Sequence, residues 1–250
     1  MIRRFITLVA VLAVSVSLYA AAAISHTRLE LPGPLAALSL NVPPVVAADA
    51  SPYMKVDTGN RPVSWNPCAP INYIVNFTNA PKFAAKDLQR ALAELSAASG
   101  FHFNYEGTTT DVPDLNWADQ RYDNQSTYAP LIIAFANPSA TNVFTEGNDQ
   151  IGSGGSAFVS SPRGLVDVSG TVVIDDQVHF VEGFGAGYSL GTLFLHEVGH
   201  VLGLAEGPNP KSFTYEYLGV TNQTMTAADR AHLSALGSGG CRPAAPPAWS

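Results

Sequence analysis

The sequence has little charge and few basic residues. Only 13% of its 250 residues are charged, and 13 lysines and arginines stand against 20 aspartates and glutamates, for a formal net charge of −7. The basic residues form no cluster, which argues against nucleic acid or an anionic lipid surface as a partner. The hydrophobic fraction of 46% is enough for one domain with a sizeable core.

Long hydrophobic runs are missing after the N-terminus. Residues 1–24 carry Arg3 and Arg4 and then an apolar run without acidic residues, which is typical of an export signal. Small residues at 20–23 and at 46–50 are alternative cleavage sites. The run is also long enough to cross a bilayer, so an uncleaved signal anchor is the alternative. We expect a protein that is secreted or anchored to the outer face of the membrane.

Cysteine is scarce as well, with Cys68 and Cys241 at opposite ends of the predicted domain. Neither has the CxxC neighbour of a zinc thiolate site, so a metal-binding pair is the weaker alternative. In an exported chain the two cysteines predict a disulfide bond that ties the domain termini together. In the chain-entropy model, closing so long a loop stabilises the domain by about 4 to 5 kcal/mol.

The remaining chain divides into two parts. Residues 25–50 are rich in proline and alanine without a sustained helical period, which predicts a pro-segment or linker. Residues 51–250 show no internal repeat and are predicted to form one domain, which we expect to be a monomer.

Apolar patterning within this domain predicts an α/β (α+β) fold. A mixed, twisted sheet would have one helix before it and two helices after it. The predicted strands are 71–77, 101–105, 131–136, 156–160 and 171–174, and the predicted helices are 81–99, 188–202 and 226–236. The glycine-rich residues after Asn142 are predicted as a loop. Ser156, Ala157 and Phe158 would then lie on a strand at the edge of the sheet.

Residues 196–206 read HEVGHVLGLAE and contain the candidate metal-binding and catalytic side chains. On a helix, His196 and His200 lie one turn apart on one face, so both rings can reach a zinc ion at about 2.0 to 2.1 Å. Glu197 lies beside them and can accept a proton from a water that attacks a carbonyl. The pattern predicts a zinc hydrolase with Glu197 as general base.

The same five-letter motif also occurs by chance on buried helices. Such a coincidence would have to explain three further residues together with the export signal: Gly203, Glu206 and Met225, the lone methionine downstream of the motif. Their combination favours a metal site.

HEVGHVLGLAE followed by Met225 resembles the metzincin pattern HExxHxxGxxH with its Met-turn. More narrowly, the chain is similar to the matrixin-like secreted proteases of actinobacteria. WNPC, FHFNYEG and LGSGGC also match, so the resemblance covers most of residues 60–241. It implies a metzincin-like zincin domain in which the chain turns at Gly203, residue 206 is the third metal ligand and Met225 forms an apolar floor.

The sequence departs from this family at position 206, where most members have histidine and some aspartate. A His2Glu shell is a known catalytic zinc arrangement, although a carboxylate ligand lowers the site charge and makes the water less acidic. Glu216, sixteen residues after His200, is the alternative third ligand. Ala227 stands where astacin-like members carry a tyrosine, so no tyrosine switch is expected.

Further metal sites have weaker support. His179 lies in a region where metzincin domains often hold additional metals, but an ordinary loop histidine is the simpler interpretation. Calcium is unsupported because no EF-hand spacing is present. The acidic residues weighed as its ligands are Asp149, Asp175, Asp176 and Glu182.

The sequence therefore predicts a secreted zinc endopeptidase with His196, His200 and Glu206 as ligands. An extended protein or peptide substrate would add to the edge strand. One alternative is a catalytically inactive binding module of the cell envelope, marked by Glu206. Another is a structural envelope protein held by its apolar N-terminus. Residues 25–50 contain no cysteine, so they cannot silence the zinc site through a thiolate.

Overall fold

The computed structural model describes residues 23–29, 51–119, 121–122, 127–144, 149–219 and 221–244. The predicted export signal lies outside these ranges except for its last two residues. Most of the predicted pro-segment or linker also lies outside them. No helix within the described ranges is long and apolar enough to cross a membrane.

Three helices and ten strands are present in these ranges. The helices are α1 (Ala84–Ser99), α2 (Leu190–Leu202) and α3 (Ala227–Gly237). The strands are β1 (Ala23–Leu29), β2 (Ser64–Trp65), β3 (Ile71–Asn76), β4 (Phe103–Thr108), β5 (Arg121–Tyr122), β6 (Thr127–Tyr128), β7 (Leu131–Ala136), β8 (Gln150–Ser161), β9 (Gly164–Asp175) and β10 (Tyr217–Leu218).

Eight strands form one mixed sheet. Its order is β10-β1-β8-β9-β7-β3-β4, with β2 beside β9, and β5 and β6 form a separate hairpin. The strands from β9 to β4 are parallel, whereas β8 is antiparallel to β9. The predicted mixed sheet with three helices is confirmed, although α1 lies between β3 and β4 in the chain and not before the sheet.

The centre of the sheet is buried on both faces. Leu131, Ile133 and Phe135 of β7 belong to the main core with the three helices, whereas Ile132 and Ala134 pack with Trp117 on the other side. This is the environment that a continuous apolar run predicts, because neither face of the strand meets water.

The helices begin and end at local signals. Gly100 ends α1 with φ of 81°, and Thr226 begins α3 by accepting a hydrogen bond from the Asp229 backbone N–H. α1 packs against α2 and α3 through buried leucines such as Leu88 and Leu95. α2 is buried along its whole length.

Two strands are longer than predicted. The glycine-rich stretch 150–155, predicted as a loop, is the first half of the twelve-residue strand β8, and β9 also has twelve residues instead of the four predicted. The prediction of a loop was wrong because glycine and serine, which are common in turns, make up most of this stretch. The glycines at 152 and 154 face α2 so closely that a Cβ at either position would collide with Glu197.

The disulfide bond between Cys68 and Cys241 is present, with Cα atoms 5.3 Å apart. It joins the segment before β3 to the segment after α3, across 173 positions of sequence. The predicted link between the two ends of the domain is therefore confirmed.

Candidate metal centre

The motif residues lie on α2 in the middle of the molecule. Ser189 is the residue before the first turn, and all thirteen residues of the helix are buried. Trp65 of β2 donates its indole N–H to Val201 O at 2.8 Å and so holds the C-terminal end of the helix. His196 and His200 project from one face, as their spacing predicted.

Each histidine ring is oriented by a backbone carbonyl. His196 Nδ1 lies 2.7 Å from Phe213 O, and His200 Nδ1 lies 2.7 Å from Leu204 O. A carbonyl only accepts, so each Nδ1 carries a hydrogen, and Nε2 is the nitrogen that each ring offers to a metal ion. These two Nε2 atoms lie 2.8 Å apart. Two lone pairs directed at one point favour a shared cation.

Glu206 completes the group of ligand atoms. Its Oε1 lies 3.5 Å from His196 Nε2 and 3.4 Å from His200 Nε2. Tetrahedral ligands at zinc bond lengths of 2.0 to 2.1 Å are separated by about 3.3 to 3.4 Å. The carboxylate therefore stands at the separation that a third zinc ligand would have. Its side chain is one-third exposed, so the site opens toward solvent on the side of Glu206.

Glu197 lies on α2 against β8. One oxygen of its carboxylate lies within 4.8 Å of a ring nitrogen of each histidine, and the residue is completely buried. A Cβ at Gly152 of β8 would lie 2.5 Å from Glu197 Oε1. Both carboxylates are near the histidines, and the Glu206 oxygen has nearly equal distances to the two nitrogens, 3.5 and 3.4 Å, as a shared ligand would.

Glu206 and the two histidines shift one another's pKa values. Burial alone would lower the pKa of His196, but the negative charge of Glu206 outweighs it and raises this pKa to about 9. Burial likewise would raise the pKa of Glu206, yet the imidazoles of His196 and His200 hold it well below its usual range. Glu206 is therefore ionised at neutral pH, which suits the binding of a metal cation.

The turn after α2 brings Glu206 back to the histidines. Gly203 ends the helix with φ of 110°, and a Cβ there would lie 2.9 Å from Val63 O. Residues before the first core strand support this turn. Met54 N–H donates to Gly203 O at 2.9 Å, and Ala205 N–H donates to Pro52 O at 2.9 Å.

Met225 is buried in the main core, with 8% of its surface exposed. The residue before it, Thr224, accepts a hydrogen bond from Phe213 N–H at 3.0 Å, and its own N–H donates to Lys211 O at 2.9 Å. The chain at Met225 is thereby joined to the segment whose Phe213 carbonyl orients His196.

Asp229 has a second role beyond the first turn of α3. Its Oδ2 accepts from Thr226 N–H at 2.8 Å, and its Oδ1 accepts from Ser212 Oγ at 2.8 Å. The helix cap is thus bonded to the segment that carries Phe213. Phe213, Leu204 and Ser212 were missed by the sequence analysis because they act mainly through backbone atoms or remote contacts, and such roles leave no motif.

The other candidate ligands lie on other segments of the chain. Glu216 immediately precedes β10, an edge strand of the sheet. Asp175, Asp176 and His179 line a separate cavity of about 240 Å³, where Asp176 accepts from Asn79 Nδ2 at 2.7 Å. Glu182 is paired with Lys86 at 2.6 Å, and Asp149 is exposed.

The predicted edge-strand residues lie at the middle of β8. Ser156 is the last β8 residue in register with β1, opposite Ala23. Beyond it, the Lys55 ammonium lies 3.8 Å from the centroid of the Phe158 ring. Within β8, Gly152 and Gly154 are the positions that approach Glu197 of α2.

The matrixin family model matches residues 80–236, from the segment before α1 into α3. The chain belongs to the matrixin family. The predicted family and fold class are thereby confirmed. Matrixins are zinc metallopeptidases, and the clustered His196, Glu197 and His200 fit their HExxH motif. The comparison with curated protein sequences gives no match.

Proposed function

We propose that this matrixin is a secreted endopeptidase that uses zinc held by His196, His200 and Glu206, with Glu197 as general base. One observation carries the proposal. Two histidine Nε2 atoms and Glu206 Oε1 converge at 2.8 to 3.5 Å from one another beside a buried carboxylate. Two imidazole nitrogens and one carboxylate oxygen form a donor set that suits zinc and leaves a fourth position open.

When bound, zinc would polarise the substrate carbonyl and lower the pKa of the attacking water. Phe213 and Leu204 hold the two imidazoles in the tautomer that presents Nε2 to the metal. Glu206 adds a negative charge, so the water should be less acidic than in a site with three histidines.

Glu197 would move the proton. Its carboxylate accepts a proton from the water as the water oxygen bonds to the substrate carbonyl carbon. It then delivers this proton to the amide nitrogen as the carbon–nitrogen bond breaks, which yields a carboxylic acid and an amine. Gly152 leaves the space that this side chain needs, since a Cβ there would meet Glu197 Oε1.

A polypeptide in extended form is the substrate that best suits the site. β8 runs past α2 as a long strand beside Glu197, and an extended chain can add to such a strand through backbone hydrogen bonds. Secretion is supported by the Cys68–Cys241 disulfide, since such bonds persist in oxidising compartments. The apolar residues 1–24 supply a matching export signal.

A binding module without catalysis is the second candidate, favoured by Glu206 in place of the usual histidine. Both candidates keep the fold and the metal, and only catalysis separates them. We would compare cleavage of unfolded casein by zinc-loaded wild-type protein and by Glu197→Gln, which removes the base and keeps the ligands. Both forms would first be freed of their N-terminal segment, by a specific protease that cuts between residues 29 and 51 after folding.

We expect the wild type to cleave casein and Glu197→Gln to lose at least about a hundredfold in rate, in the range of a general base. Equal zinc content and equal thermal stability are the controls. A folded, zinc-loaded wild type with no activity on casein would favour the binding module. Equal activity of the two proteins would show that Glu197 is not the base.

A further inference from the structure

The Phe213 ring packs against the metal-binding helix between its two histidines. Gly199 of α2 lies one turn after His196 and immediately before His200. A Cβ at this glycine would lie 2.8 Å from Phe213 Cε2 and 3.5 Å from Phe213 Cζ. The tip of the ring therefore reaches the helix backbone itself, at a position where a larger residue would collide with it.

The backbone around Phe213 is bonded to the chain at the other side of the metal centre. Phe213 O accepts a hydrogen bond from His196 Nδ1 at 2.7 Å. The carbonyl of the next residue, Thr214, accepts from the N–H of Gly207 at 2.9 Å. Gly207 directly follows Glu206, so this bond fixes the chain on the C-terminal side of that ligand. The ring and the backbone of one short segment thus lie next to all three candidate ligands.

Further contacts hold Phe213 in place. The residue is only 1% exposed, and its N–H donates to Thr224 O at 3.0 Å. The preceding residue, Ser212, donates through Oγ to Asp229 Oδ1 at 2.8 Å and accepts from Thr214 N–H at 3.0 Å. A buried ring whose backbone is bonded on both sides has little freedom to move, which suits it to hold another element in a fixed position.

We propose that Phe213 is a positioning residue of the metal centre, whose ring supports α2 at Gly199 and whose carbonyl orients His196. This inference rests on the proposed function for the identity of the metal. The resemblance to metzincins gives the role of an apolar floor to Met225 instead. Met225 packs in the main core and is joined to the centre through the bond between Thr224 and Phe213. Loss of the ring should therefore loosen the ligands, whereas a change at Met225 should not.

The zinc affinity of the full chain tests this inference without relying on catalysis. Phe213→Leu removes the tip of the ring and keeps an apolar side chain. Phe101→Leu is the matched control, because Phe101 is also fully buried in the main core but follows the end of α1. Met225→Leu tests the rival residue. Competition with a zinc-sensitive chelating dye measures the affinity, and urea denaturation measures the stability of each metal-free protein.

We expect Phe213→Leu to bind zinc at least about tenfold more weakly than the wild type, as is usual for residues that orient metal ligands. Phe101→Leu should lower the urea midpoint by a similar amount and leave the zinc affinity unchanged. Met225→Leu should also leave the zinc affinity unchanged. Phe213→Met, which keeps a long and adaptable apolar side chain, should retain the wild-type affinity.

Gly199→Ala approaches the same contact from the helix and decides the question if Phe213→Leu does not fold. Alanine is otherwise favourable inside a helix, so a loss can be assigned to the collision with the ring. We expect this change to weaken zinc binding at least tenfold in the presence of Phe213. Combined with Phe213→Met, whose side chain can yield, it should weaken binding much less. Additive effects of the two changes would show that ring and helix do not act together, and would overturn the proposal.

Wild-type zinc affinity in a folded Phe213→Leu protein would also overturn the proposal. So would an equal loss of affinity in Phe101→Leu, which would assign the effect to general destabilisation, or a loss confined to Met225→Leu. Zinc binding with the expected Phe213 effects but without casein hydrolysis would refute the proposed catalysis and leave this inference standing. A folded wild type that binds no zinc would refute both.

Discussion

Gly152 of β8 and Glu197 of α2 approach so closely that a Cβ at position 152 would lie 2.5 Å from Glu197 Oε1 and 3.1 Å from Glu197 Cγ. Real Cβ atoms do not come so near, so the glycine sets the space available to the proposed base. β8 and α2 therefore pack most closely at Glu197, the side chain that would transfer the proton.

Gly152→Ala should lower kcat at least tenfold, because the added methyl group must displace the Glu197 carboxylate. We expect overpacking to cost about 1 to 3 kcal/mol of stability, with zinc content unchanged. Casein hydrolysis and zinc analysis check this. Ser153→Ala, whose hydroxyl bonds Val143 O at 3.4 Å, is the neighbouring control. Unchanged kcat in Gly152→Ala would mean that the carboxylate can relax without cost to catalysis.

Glu206→Gln should weaken zinc binding by at least about a hundredfold, more than the loss of a residue that only supports a ligand. The cause is the removal of a carboxylate that lies 3.5 and 3.4 Å from the two histidine nitrogens. Competition with a zinc-sensitive chelating dye measures the affinity. Glu216→Gln tests the rival ligand. If Glu216→Gln released zinc and Glu206→Gln did not, the assignment of the third ligand would be reversed.

Breaking the disulfide should destabilise the domain. The double substitution Cys68→Ser and Cys241→Ser removes the covalent link between two positions that are 173 residues apart in the sequence. We expect a loss of about 2 to 5 kcal/mol in the free energy of unfolding, measured by urea denaturation under oxidising conditions. Wild-type protein with dithiothreitol should show the same loss. An unchanged midpoint in both experiments would contradict a stabilising role for the bond.

Asp167 should make stability depend on pH. Burial raises the pKa of this carboxyl to about 7, although Ser156 Oγ donates to Asp167 Oδ1 at 2.9 Å. Since the folded-state pKa exceeds the unfolded value of 3.8, the folded chain holds a proton that the unfolded chain releases. The contribution to stability is full below pH 3.8 and is lost as the pH rises through about 7.

Asp167→Asn should remove this dependence, which amounts to about 4 kcal/mol over that interval. Urea denaturation at pH 5 and pH 8 gives the free energy of unfolding of both proteins. At pH 8 the wild type should have a lower free energy of unfolding than Asp167→Asn. At pH 5 this difference in free energy should be smaller. If the free energies of unfolding of the two proteins differed by the same amount at both pH values, Asp167 would be ionised throughout.

Features set by neighbouring residues could be predicted from the sequence. The strand at 131–136, the turn at Gly203 and the start of α3 near Thr226 each depend on a few adjacent positions, and each lies where it was predicted. The four-residue spacing of His196 and His200 also follows from helix geometry alone. Local sequence therefore determined the helices, the central strand, the pair of histidines and the family to which the chain belongs.

Only the tertiary structure decided how distant segments meet. The strand character of residues 150–155 depends on the close approach of α2 to glycines that by composition resemble a loop. The position of Glu206 against both histidines depends on support from Pro52 and Met54, which lie more than 150 positions earlier in the chain. The pairing of residues 23–29 with β8 is likewise non-local. Such contacts arise from packing and backbone hydrogen bonding between segments remote in sequence, and no local pattern encodes which segments will meet.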